Sequence, residues 1–518
     1  MQTWCGKLDC FKIHEVNSNM ENINSWEDIR WRDIEKRIFH LQVRIFKAAS
    51  DQKLEKMYKL QKLLISSKYA KYLSVKKVTE KNYAKNIPEI NRILISNPSE
   101  KFRLANKLIL DGKSNPIFKV YVSYPNLKYR PLRILTIEER AKQMLAYLAL
   151  CPQWEAQFES NSYGFRPNSS ICDVMRIIYL SISTKPKWVL SINILKCFKQ
   201  INHKYLLEKC NTFPKMKQQI RAWLKSGILN GEEFIFPEMR FPQGGVILPL
   251  LVNIALHGLQ DKLYIHIRNN YGQKYQQSLK FIRYLDNFVL IDSKKETLED
   301  LKYIIQQFLE PIGLKLDPMK TRIVHTLEHT ENWPPGFSFL GFDIIQRQKK
   351  YKQFKNTKYE QNFITLVTPS KEEVQLYKVK IRKIIRSHKG ASQEKLIRVL
   401  NPIIKEWSNS KRSQTASNTF QAIDAYILIH LWKWARKRHP KMSNIKLKNK
   451  YWHQVENQNW IFGIKKNNNI TIRLQLHSKI LIKRHSKIKK PVYLLDTNFI
   501  YCSRKIGKSL MLPSYYFI

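Results

Sequence analysis

An acidic side chain, Asp286, stands in the middle of a stretch that is otherwise almost wholly apolar. Residues 281–291 read FIRYLDNFVLI, so apolar residues run into Asp286 and Asn287 and then resume. Two apolar runs around a polar pair are typical of a buried β-hairpin, and such a hairpin would present the Asp286 carboxylate at its turn. An ordinary core hairpin with a polar turn fits the same residues, so the flanking segments must decide between a functional and a structural role.

Those flanking segments predict a sheet and helices around the hairpin. Residues 188–194 read WVLSINI, a buried strand, and 201–203 open a helix. Residues 298–308 carry apolar side chains at helical spacing, and further strands are expected at 320–322 and 337–342. Strand, helix, hairpin, helix and strand in this order form a split βαβ arrangement. The predicted fold class is therefore α+β.

The chain carries a large excess of positive charge. Its 518 residues include 91 Lys and Arg against 41 Asp and Glu, which gives a formal net charge of +50 and a pI near 10.0. Self-repulsion on this scale is tolerable when a polyanion neutralises it, and the phosphate backbone of a nucleic acid is the obvious candidate. An A/T-rich coding sequence also inflates Lys and Asn, as in the tract 465–469. Because such a bias adds Asp and Glu as well, it does not explain the imbalance.

Basic helices are predicted on both sides of the hairpin region. Apolar spacings of three and four over 26–50, and again over 54–64, predict two amphipathic helices rich in Lys and Arg. They fit a basic extension that grips RNA as well as they fit a plain helical hairpin, and the two interpretations are compatible. From about 370 the chain turns helical and very basic, with apolar stripes over 396–407 and 420–431.

The remaining composition excludes several classes of protein. Seven scattered cysteines without a C-x-x-C pair indicate neither a disulfide framework nor a zinc site, so we expect a reducing compartment. The N-terminal residues include several acids and lack an apolar core, which predicts neither a secretory signal nor a transit peptide. No run of 18 apolar residues occurs, so a soluble protein of about three domains is expected.

Several motifs, taken in order, resemble a known family. They are 163–167 (YGFRP), 242–246 (PQGGV), the hairpin 281–291 with Tyr284 two residues before Asp286, 313–316 (GLKL) with 320–321, and 339–342 (FLGF). Together they resemble the reverse-transcriptase blocks of group II intron-encoded proteins. Residues 400–407, 434–440 and 450–452 resemble the maturase domain of that family, also called domain X or the thumb. The resemblance covers roughly residues 26–505.

The resemblance implies a right-hand-like reverse transcriptase followed by a helical thumb, and it divides the chain into five parts. These are a basic helical N-terminal extension (1–80), fingers (81–180), a degenerate split βαβ palm (181–345), the thumb or maturase domain X (346–455) and a basic C-terminal tail (456–518). Family members with full mobility carry a C-terminal nuclease with Cys pairs. Only Cys502 lies beyond residue 210 here, so we expect the nuclease to be absent.

At two of the three metal-ligand positions of the palm the chain departs from the family. Polymerases of this kind transfer nucleotides with two Mg²⁺ ions held by palm aspartates, and Mg²⁺ needs anionic oxygens to stay bound. Alignment with the family puts Asn193 at the first ligand position, Asp286 at the second and Asn287 at the third. The local charge falls from about three negative to one, which removes most of the attraction for the metal. We therefore expect that DNA synthesis is lost, that Asp286 is the one candidate metal ligand, and that Mg²⁺ is a cofactor only if polymerase activity is retained.

With DNA synthesis expected to be lost, the resemblance implies that the chain retains RNA binding. The splicing role of the family needs no protein catalysis, because the intron RNA carries the active site and the protein stabilises its fold. The predicted partner is structured intron RNA rather than a membrane, and the oligomeric state stays open. Aromatic rings in helices belong to the core more often than to an RNA platform, so charged side chains are the better guide. The residues predicted to contact RNA are Lys128, Arg130, Arg166, Gln243, Lys433, Arg436, Lys437, Arg438 and Lys450.

Two other functions compete with that of a splicing cofactor. The first is an active RNA-dependent DNA polymerase of a mobile intron, which would use Asp286 with a carboxylate that the sequence does not identify. The second is a generic basic RNA- or ribosome-binding protein, which the ordered motifs disfavour. The composition and the resemblance predict an organelle-encoded protein, with a plastid favoured over a mitochondrion, although no residue forces that choice.

Overall fold

The structure is a computed structural model, and its described residues fall into two compact units. One unit holds the residues up to Phe158 together with Phe198–Ala255, and the other holds Glu159–Cys197 and the chain from Leu256 onward. Side chains are not described within 120–132, 455–459 and 465–471. The described residues are 23–80, 97–124, 127–167, 169–230, 233–235, 245–349, 362–412, 415–455, 458–466 and 469–482.

Helices and strands come largely in separate runs along the chain, as expected for an α+β fold. The helices are α1 (Trp31–Ser50), α2 (Leu54–Ser66), α3 (Lys68–Thr79), α4 (Pro98–Lys107), α5 (Ile137–Glu155), α6 (Ile171–Ile182), α7 (Cys197–Gln200), α8 (His203–Lys209), α9 (Pro214–Leu224), α10 (Leu248–Leu256), α11 (Leu259–Tyr271), α12 (Gln273–Ser278), α13 (Lys295–Leu309), α14 (Lys371–Ser387), α15 (Gln393–Lys411), α16 (Ser417–Arg438) and α17 (Asn444–Tyr451). The strands are β1 (Ile117–Tyr124), β2 (Leu127–Ile134), β3 (Trp188–Asn193), β4 (Ile228–Asn230), β5 (Glu233–Ile235), β6 (Lys280–Tyr284), β7 (Asn287–Asp292), β8 (Arg322–His325), β9 (Phe337–Phe339), β10 (Phe342–Gln348), β11 (Phe363–Pro369), β12 (Trp452–Val455), β13 (Gln458–Lys466) and β14 (Asn469–Arg473).

Helix α5 is the centre of the first unit. Every residue of α5 except Glu138 is buried, and α1, α2 and α3 pack against it. A polar group inside this core is paired, since the Glu139 carboxylate accepts from the Trp223 Nε1 at 2.9 Å. The second predicted helix is confirmed as α2, which ends at Ser66, and the chain continues at once into α3. The same unit contains a sheet in the order β2-β1-β4-β5.

The predicted split βαβ palm is confirmed in the second unit. Its sheet has the order β6-β7-β3-β8, and every pair of neighbouring strands is antiparallel. Strands β3 and β6 are joined by helices in the sequence, yet β7 lies between them in the sheet, which is what splits the unit. Helix α13 packs against β3 and β7, and α6 packs against β6. Both faces of the sheet are therefore covered, which explains the continuous apolar runs in β3 and β7.

The FLGF motif forms a joint between a second sheet and the helical domain. Strands β9 and β10 are connected by Leu340 and Gly341, whose φ angles of 49° and 75° are typical of a type I′ hairpin turn. The Gly341 carbonyl accepts from the Ser370 N–H at 3.0 Å and from the Lys411 Nζ at 3.2 Å. Lys411 is 4% exposed and lies over the Phe342 ring. Helix α15 is thus held directly against this turn.

Helices α14 to α17 and the sheet β12-β13-β14 share one apolar core. Part of this sheet lies in the segment predicted as a basic tail. After β14 the chain returns to α16, where the Asp424 carboxylate accepts from the backbone N–H and the Nδ1 of His477. The His477 Nε2 reaches the Tyr377 hydroxyl at 2.9 Å. The five-part domain division stays a prediction.

Within the described part of the chain, no helix is both long enough and apolar enough to cross a lipid bilayer.

Candidate functional site

The tip of the β6–β7 hairpin is formed by Leu285 and Asp286. Tyr284 pairs with Asn287, so the predicted carboxylate at the turn is confirmed, while Asn287 is the first residue of β7 rather than part of the turn. Leu285 has a φ of 59°, a left-handed conformation that costs a non-glycine residue about 1–3 kcal/mol. A positive φ at the first of two turn residues is typical of a type II′ hairpin turn. This turn holds Asp286 at the end of the sheet.

Asn193 and Asn287, the two amides at the expected ligand positions, lie directly opposite each other on β3 and β7. The Asn193 Nδ2 donates to Asn287 Oδ1 at 2.7 Å, and the Asn287 Nδ2 donates to Asp286 Oδ1 at 2.9 Å. The Ile194 N–H also donates to the Asp286 carbonyl at 3.1 Å. We call these three side chains the Asn–Asn–Asp chain. Their polar atoms pair with one another across the strand ends.

The surroundings of Asp286 do not favour a concentration of negative charge. Burial raises the pKa of Asp286 above its ordinary value, and its own backbone N–H, the Asn287 amide and the charge of Lys320 oppose that rise. Burial also raises the pKa of the Cys197 thiol, and the nearby Asp286 charge adds to the effect. The end of the sheet therefore carries one buried carboxylate whose pKa is raised by its burial.

These side chains do not fit a site for two Mg²⁺ ions. Mg²⁺ requires carboxylate oxygens in octahedral geometry, but oxygens of Asp286 and Asn287 are already accepting amide protons from their neighbours. Asp317 is attached to the site through its backbone N–H, which donates to the Asn193 carbonyl at 2.9 Å, yet its carboxylate accepts from the Met319 N–H. Across the described ranges, no group of three His, Cys, Asp or Glu side chains is placed to hold a metal ion.

The YGFRP motif, 163–167, is a brace beside the hairpin. Just before it, Ser162 forms a parallel bridge with Arg283 of β6, and the next backbone N–H donates to the Arg283 carbonyl at 2.8 Å. Gly164 is needed here because a Cβ at this position would lie 2.3 Å from the Leu285 nitrogen. The motif therefore supports the strained turn that carries Asp286.

A buried ion pair fixes the start of this brace. Glu159 and Arg283 are fully enclosed, and the Arg283 Nη2 lies 3.1 Å from the Glu159 Oε2. Burial alone would raise the pKa of Glu159, but the hydrogen bond with His257, the charge of Arg283 and the Gly258 N–H lower it to about 2. Sequence reasoning assigned no role to Glu159, since a single acid in a polar segment gives no sign of burial.

Four of the residues predicted to contact RNA lie before the helical domain. Arg166 is 7% exposed, and its guanidinium donates to two nearby backbone carbonyls at 2.7 and 2.8 Å, so it has a structural function in the brace. Lys128 and Arg130 lie on β2, but their side chains are outside the described part of the structure. Gln243 is also outside the described residues. An RNA contact at each of the four stays a prediction.

The other five predicted RNA contacts are brought together around the end of α16 and on α17, and all five are exposed. Lys433 and Lys437 are one helical turn apart. Arg436 donates to the Met442 carbonyl, and Arg438 donates to two carbonyls of the loop that follows α14. The two arginines thus also stabilise neighbouring loops. Lys450 completes this basic surface, which contains both exposed lysines and arginines whose guanidinium groups bind loop carbonyls.

The aromatic side chains of this domain mostly belong to its core, as predicted. Trp434, Tyr451 and Trp452 are between 3 and 5% exposed, and the Trp434 Nε1 donates to the His388 carbonyl at 2.8 Å. Trp460 is different, because 44% of it is exposed. Sequence reasoning did not single out Trp460, and strand periodicity alone could not have found it.

Three sequence families match the chain in order. Residues 26–108 match the N-terminal domain of reverse transcriptase, 122–344 match reverse transcriptase (RNA-dependent DNA polymerase), and 374–452 match the group II intron maturase-specific domain. The reverse-transcriptase match contains the brace, the hairpin and the Asn–Asn–Asp chain. The maturase-specific match contains the end of α16 and the whole of α17.

Curated relatives agree with these domains. Maturase-like protein 1 of Euglena gracilis is 26% identical over 392 residues, which are 74% of this chain and 77% of that protein. Protein YkfC of Escherichia coli is 28% identical over 282 residues, 48% of this chain and 72% of the relative. The group II intron-encoded protein LtrA of Lactococcus lactis is 25% identical over 310 residues, 48% of this chain and 50% of the relative.

The palm sheet with its hairpin, the helical domain that follows it and the three matches in sequence all lead to one assignment. The chain is a reverse-transcriptase-like protein of the group II intron maturase type.

Proposed function

We propose that this protein binds intron RNA and assists the splicing of a group II-type intron by stabilising the folded RNA, and that its reverse-transcriptase activity is lost. The observation that carries the second part is the Asn–Asn–Asp chain, in which two of the three expected ligand positions are uncharged amides that form hydrogen bonds with each other and with Asp286. A polymerase of the two-metal type needs those oxygens for its ions. Splicing support makes no such demand, because the protein contributes binding and the RNA contributes the chemistry.

The basic surface at the end of α16 supports the RNA-binding part of the proposal. Lys433, Lys437 and Lys450 are exposed and lie within the residues that match the maturase-specific domain. Lys acts as a mobile point charge toward phosphate, whereas Arg offers a fixed fork of donors. With Arg436 and Arg438 fixed by loop carbonyls, the surface combines both kinds of contact. Such a combination suits the irregular backbone of a folded RNA.

An organelle is the proposed location, with a plastid favoured over a mitochondrion. The Lys- and Asn-rich composition and the similarity to a maturase-like protein of Euglena gracilis support this.

A splicing assay and a primer-extension assay on the same preparation test the function. The full chain is added to precursor RNAs that contain group II introns from the source genome, at a Mg²⁺ concentration at which the RNAs alone splice slowly. We expect faster splicing of at least one precursor. Asp286→Asn is expected to retain that rate within about twofold, because Asp286 has no metal to hold. Primer extension with Mg²⁺ or Mn²⁺ is expected to stay at background.

Charge-reversal variants distinguish RNA binding at the proposed surface from the effect of the protein's total positive charge. Lys433→Glu with Lys437→Glu is expected to abolish the acceleration, because the two charges lie together on the proposed RNA surface. The matched control reverses two exposed palm lysines, Lys274 and Lys294, and should change the rate little. Template-dependent extension that disappears in Asp286→Asn would establish an active polymerase instead. Equal acceleration by both double variants would reject the assigned surface.

A further inference from the structure

Three tryptophans form a graded cluster beside the basic surface, from the core outward. Trp452 is 3% exposed, Trp432 is half-buried and Trp460 is 44% exposed. The ring centroids of Trp432 and Trp452 are 5.0 Å apart, and those of Trp432 and Trp460 are 5.9 Å apart. The two inner rings are therefore fixed by the core, and they support the outer ring from behind. Trp460 is a large aromatic surface that the domain keeps rigid and leaves in solvent.

Trp460 lies in a β-bulge of β13. His453 pairs with Ile461 and Val455 pairs with Gln458, so two residues of β13 stand opposite one residue of β12. The second of those two residues is Trp460, and its φ is 66°. Bulges bend a strand and redirect a side chain. Without the bulge, β13 would alternate its side chains regularly.

A positive charge lies against this ring, in a part of the sequence that is rich in Lys and Arg. The Lys448 Nζ lies 4.7 Å from the centre of the Trp460 ring. Lys446 and Lys450, on the same short helix, are also exposed. Over residues 425–482 the sequence contains twelve Lys and Arg and a single acid, Glu456. An apolar protein partner would have to strip water from several ammonium groups to cover the ring, so a partner that carries its own negative charge fits better.

We propose that Trp460, with Lys448 beside it, is a stacking platform for an unpaired base of RNA. A single-stranded nucleotide brings a flat π-surface for the indole and a phosphate for the lysine in one unit, and aromatic stacking of this kind is the usual way in which proteins bind unpaired bases. The site deepens the proposed function and rests on it, since it names an unpaired nucleotide as one feature that the protein grips. Lys448 lies inside the maturase-specific match, which ends at residue 452, and Trp460 lies beyond it.

The test uses the full chain and a short unstructured RNA, a uridine dodecamer with one central 2-aminopurine. Stacking on an indole changes the fluorescence of 2-aminopurine, so the probe reports stacking as well as binding. Trp460→Ala is expected to weaken binding roughly 5- to 100-fold and to remove most of the fluorescence change. Trp460→Phe keeps an aromatic face and should restore a good part of both. Lys448→Ala should weaken binding while leaving part of the fluorescence change.

Trp333→Ala is the matched control, because Trp333 is an exposed tryptophan of the palm, 37% exposed, with the Arg322 guanidinium 4.0 Å from its ring centre. It should leave the probe unaffected. A thermal unfolding curve for each variant identifies any loss of fold, and Trp460→Phe remains informative if Trp460→Ala does not fold. Unchanged binding and fluorescence in both Trp460 variants would overturn the platform. So would a Trp460-dependent binding to vesicles of phosphatidylserine and phosphatidylcholine without any effect on the RNA probe.

The outcome is separable from that of the proposed function. If Trp460 stacks the probe but no precursor RNA splices faster, the platform stands and the splicing role fails. If splicing is accelerated and Trp460→Ala neither slows it nor affects the probe, the splicing role stands and the platform fails.

Discussion

An amide in place of a carboxylate at positions 193 and 287 changes what the end of the palm sheet requires. Three carboxylates at hydrogen-bond distance would repel one another and would need cations between them. With Asn193 and Asn287 in place, the same positions are joined by hydrogen bonds of 2.7 and 2.9 Å. A hydrogen bond to an ionised group contributes about 1.5–3 kcal/mol and a neutral one about 0.5–1.5 kcal/mol. These hydrogen bonds therefore take the place of the repulsion that three carboxylates would have.

Restoring both carboxylates should make the fold depend on a divalent ion. We expect Asn193→Asp with Asn287→Asp to lower the free energy of unfolding by about 2–4 kcal/mol in EDTA, because both hydrogen bonds are replaced by repulsion. Millimolar Mg²⁺ should recover part of that loss. Urea unfolding followed by circular dichroism measures both effects. The original chain is the control and should unfold at the same urea concentration with EDTA and with Mg²⁺; a shift as large as that of the double variant would show that a metal is bound there already.

At the scale of elements, β6 is the edge strand of the palm sheet. Its free edge contacts the irregular segment around Ser162 instead of another strand. The brace depends on an ion pair, Glu159 with Arg283, that is shut off from solvent. Breaking a pair of this kind leaves an uncompensated buried charge, which costs about 3–5 kcal/mol. The brace, the strained Leu285 turn and Asp286 are thus connected, and the hairpin depends on a carboxylate more than 120 residues earlier in the chain.

The ion pair predicts how stability depends on pH. The pKa of Glu159 is lowered in the folded chain from 4.5 to about 2, so its stabilising contribution is complete above pH 4.5 and disappears as the pH falls toward 2. That fall corresponds to about 3 kcal/mol. We expect the stability difference between the original chain and Glu159→Gln to narrow between pH 5.5 and pH 3, as measured by urea unfolding. Glu331→Gln, at an exposed carboxylate, serves as the control, and a constant difference for Glu159→Gln would contradict the assignment.

Periodicity predicted the elements well and their partners poorly. The apolar runs of β3, β6 and β7 and the spacing in α13 and α16 are local properties, so the palm order and the carboxylate at Asp286 could be inferred from the sequence. The pairing of Asn193 with Asn287 depends on strand register between segments 94 residues apart. The burial of Arg166 and the exposure of Trp460 depend on local backbone geometry that residue types do not encode. Arg436 and Arg438, which were predicted to contact RNA, donate hydrogen bonds to loop carbonyls.

Charge at the scale of the whole molecule governs how tightly any RNA is held. A formal charge of +50 is spread over 518 residues, and each phosphate that the protein neutralises adds about 0.7–0.9 to the slope of log affinity against log salt. Contacts of this kind hold RNA of any sequence. Selectivity for an intron must therefore come from the shape of the RNA and from stacking on unpaired bases.

A salt titration distinguishes specific phosphate contacts from diffuse attraction. Lys433→Ala with Lys437→Ala should reduce the magnitude of the slope by roughly 1.4–1.8 for an intron RNA between 50 and 300 mM KCl, because two phosphates lose their partners. Filter binding gives the slope. Lys274→Ala with Lys294→Ala removes the same charge from exposed positions of the palm and should leave the slope nearly unchanged. Equal slopes for the two double variants would mean that the end of α16 makes no special contact.

The self-paired amides at the strand ends have a practical meaning for anyone who reconstitutes this system. Group II ribozymes fold and react with divalent ions, and polymerases of the two-metal type bind such ions too. In this chain the Asn193 and Asn287 amides form hydrogen bonds with each other and with Asp286, where three carboxylates would attract those ions. Under the proposed function, the Mg²⁺ concentration at which splicing begins then reports the folding of the RNA alone. If the protein lowers that concentration, the difference measures how far its positive surface replaces Mg²⁺ in neutralising the RNA.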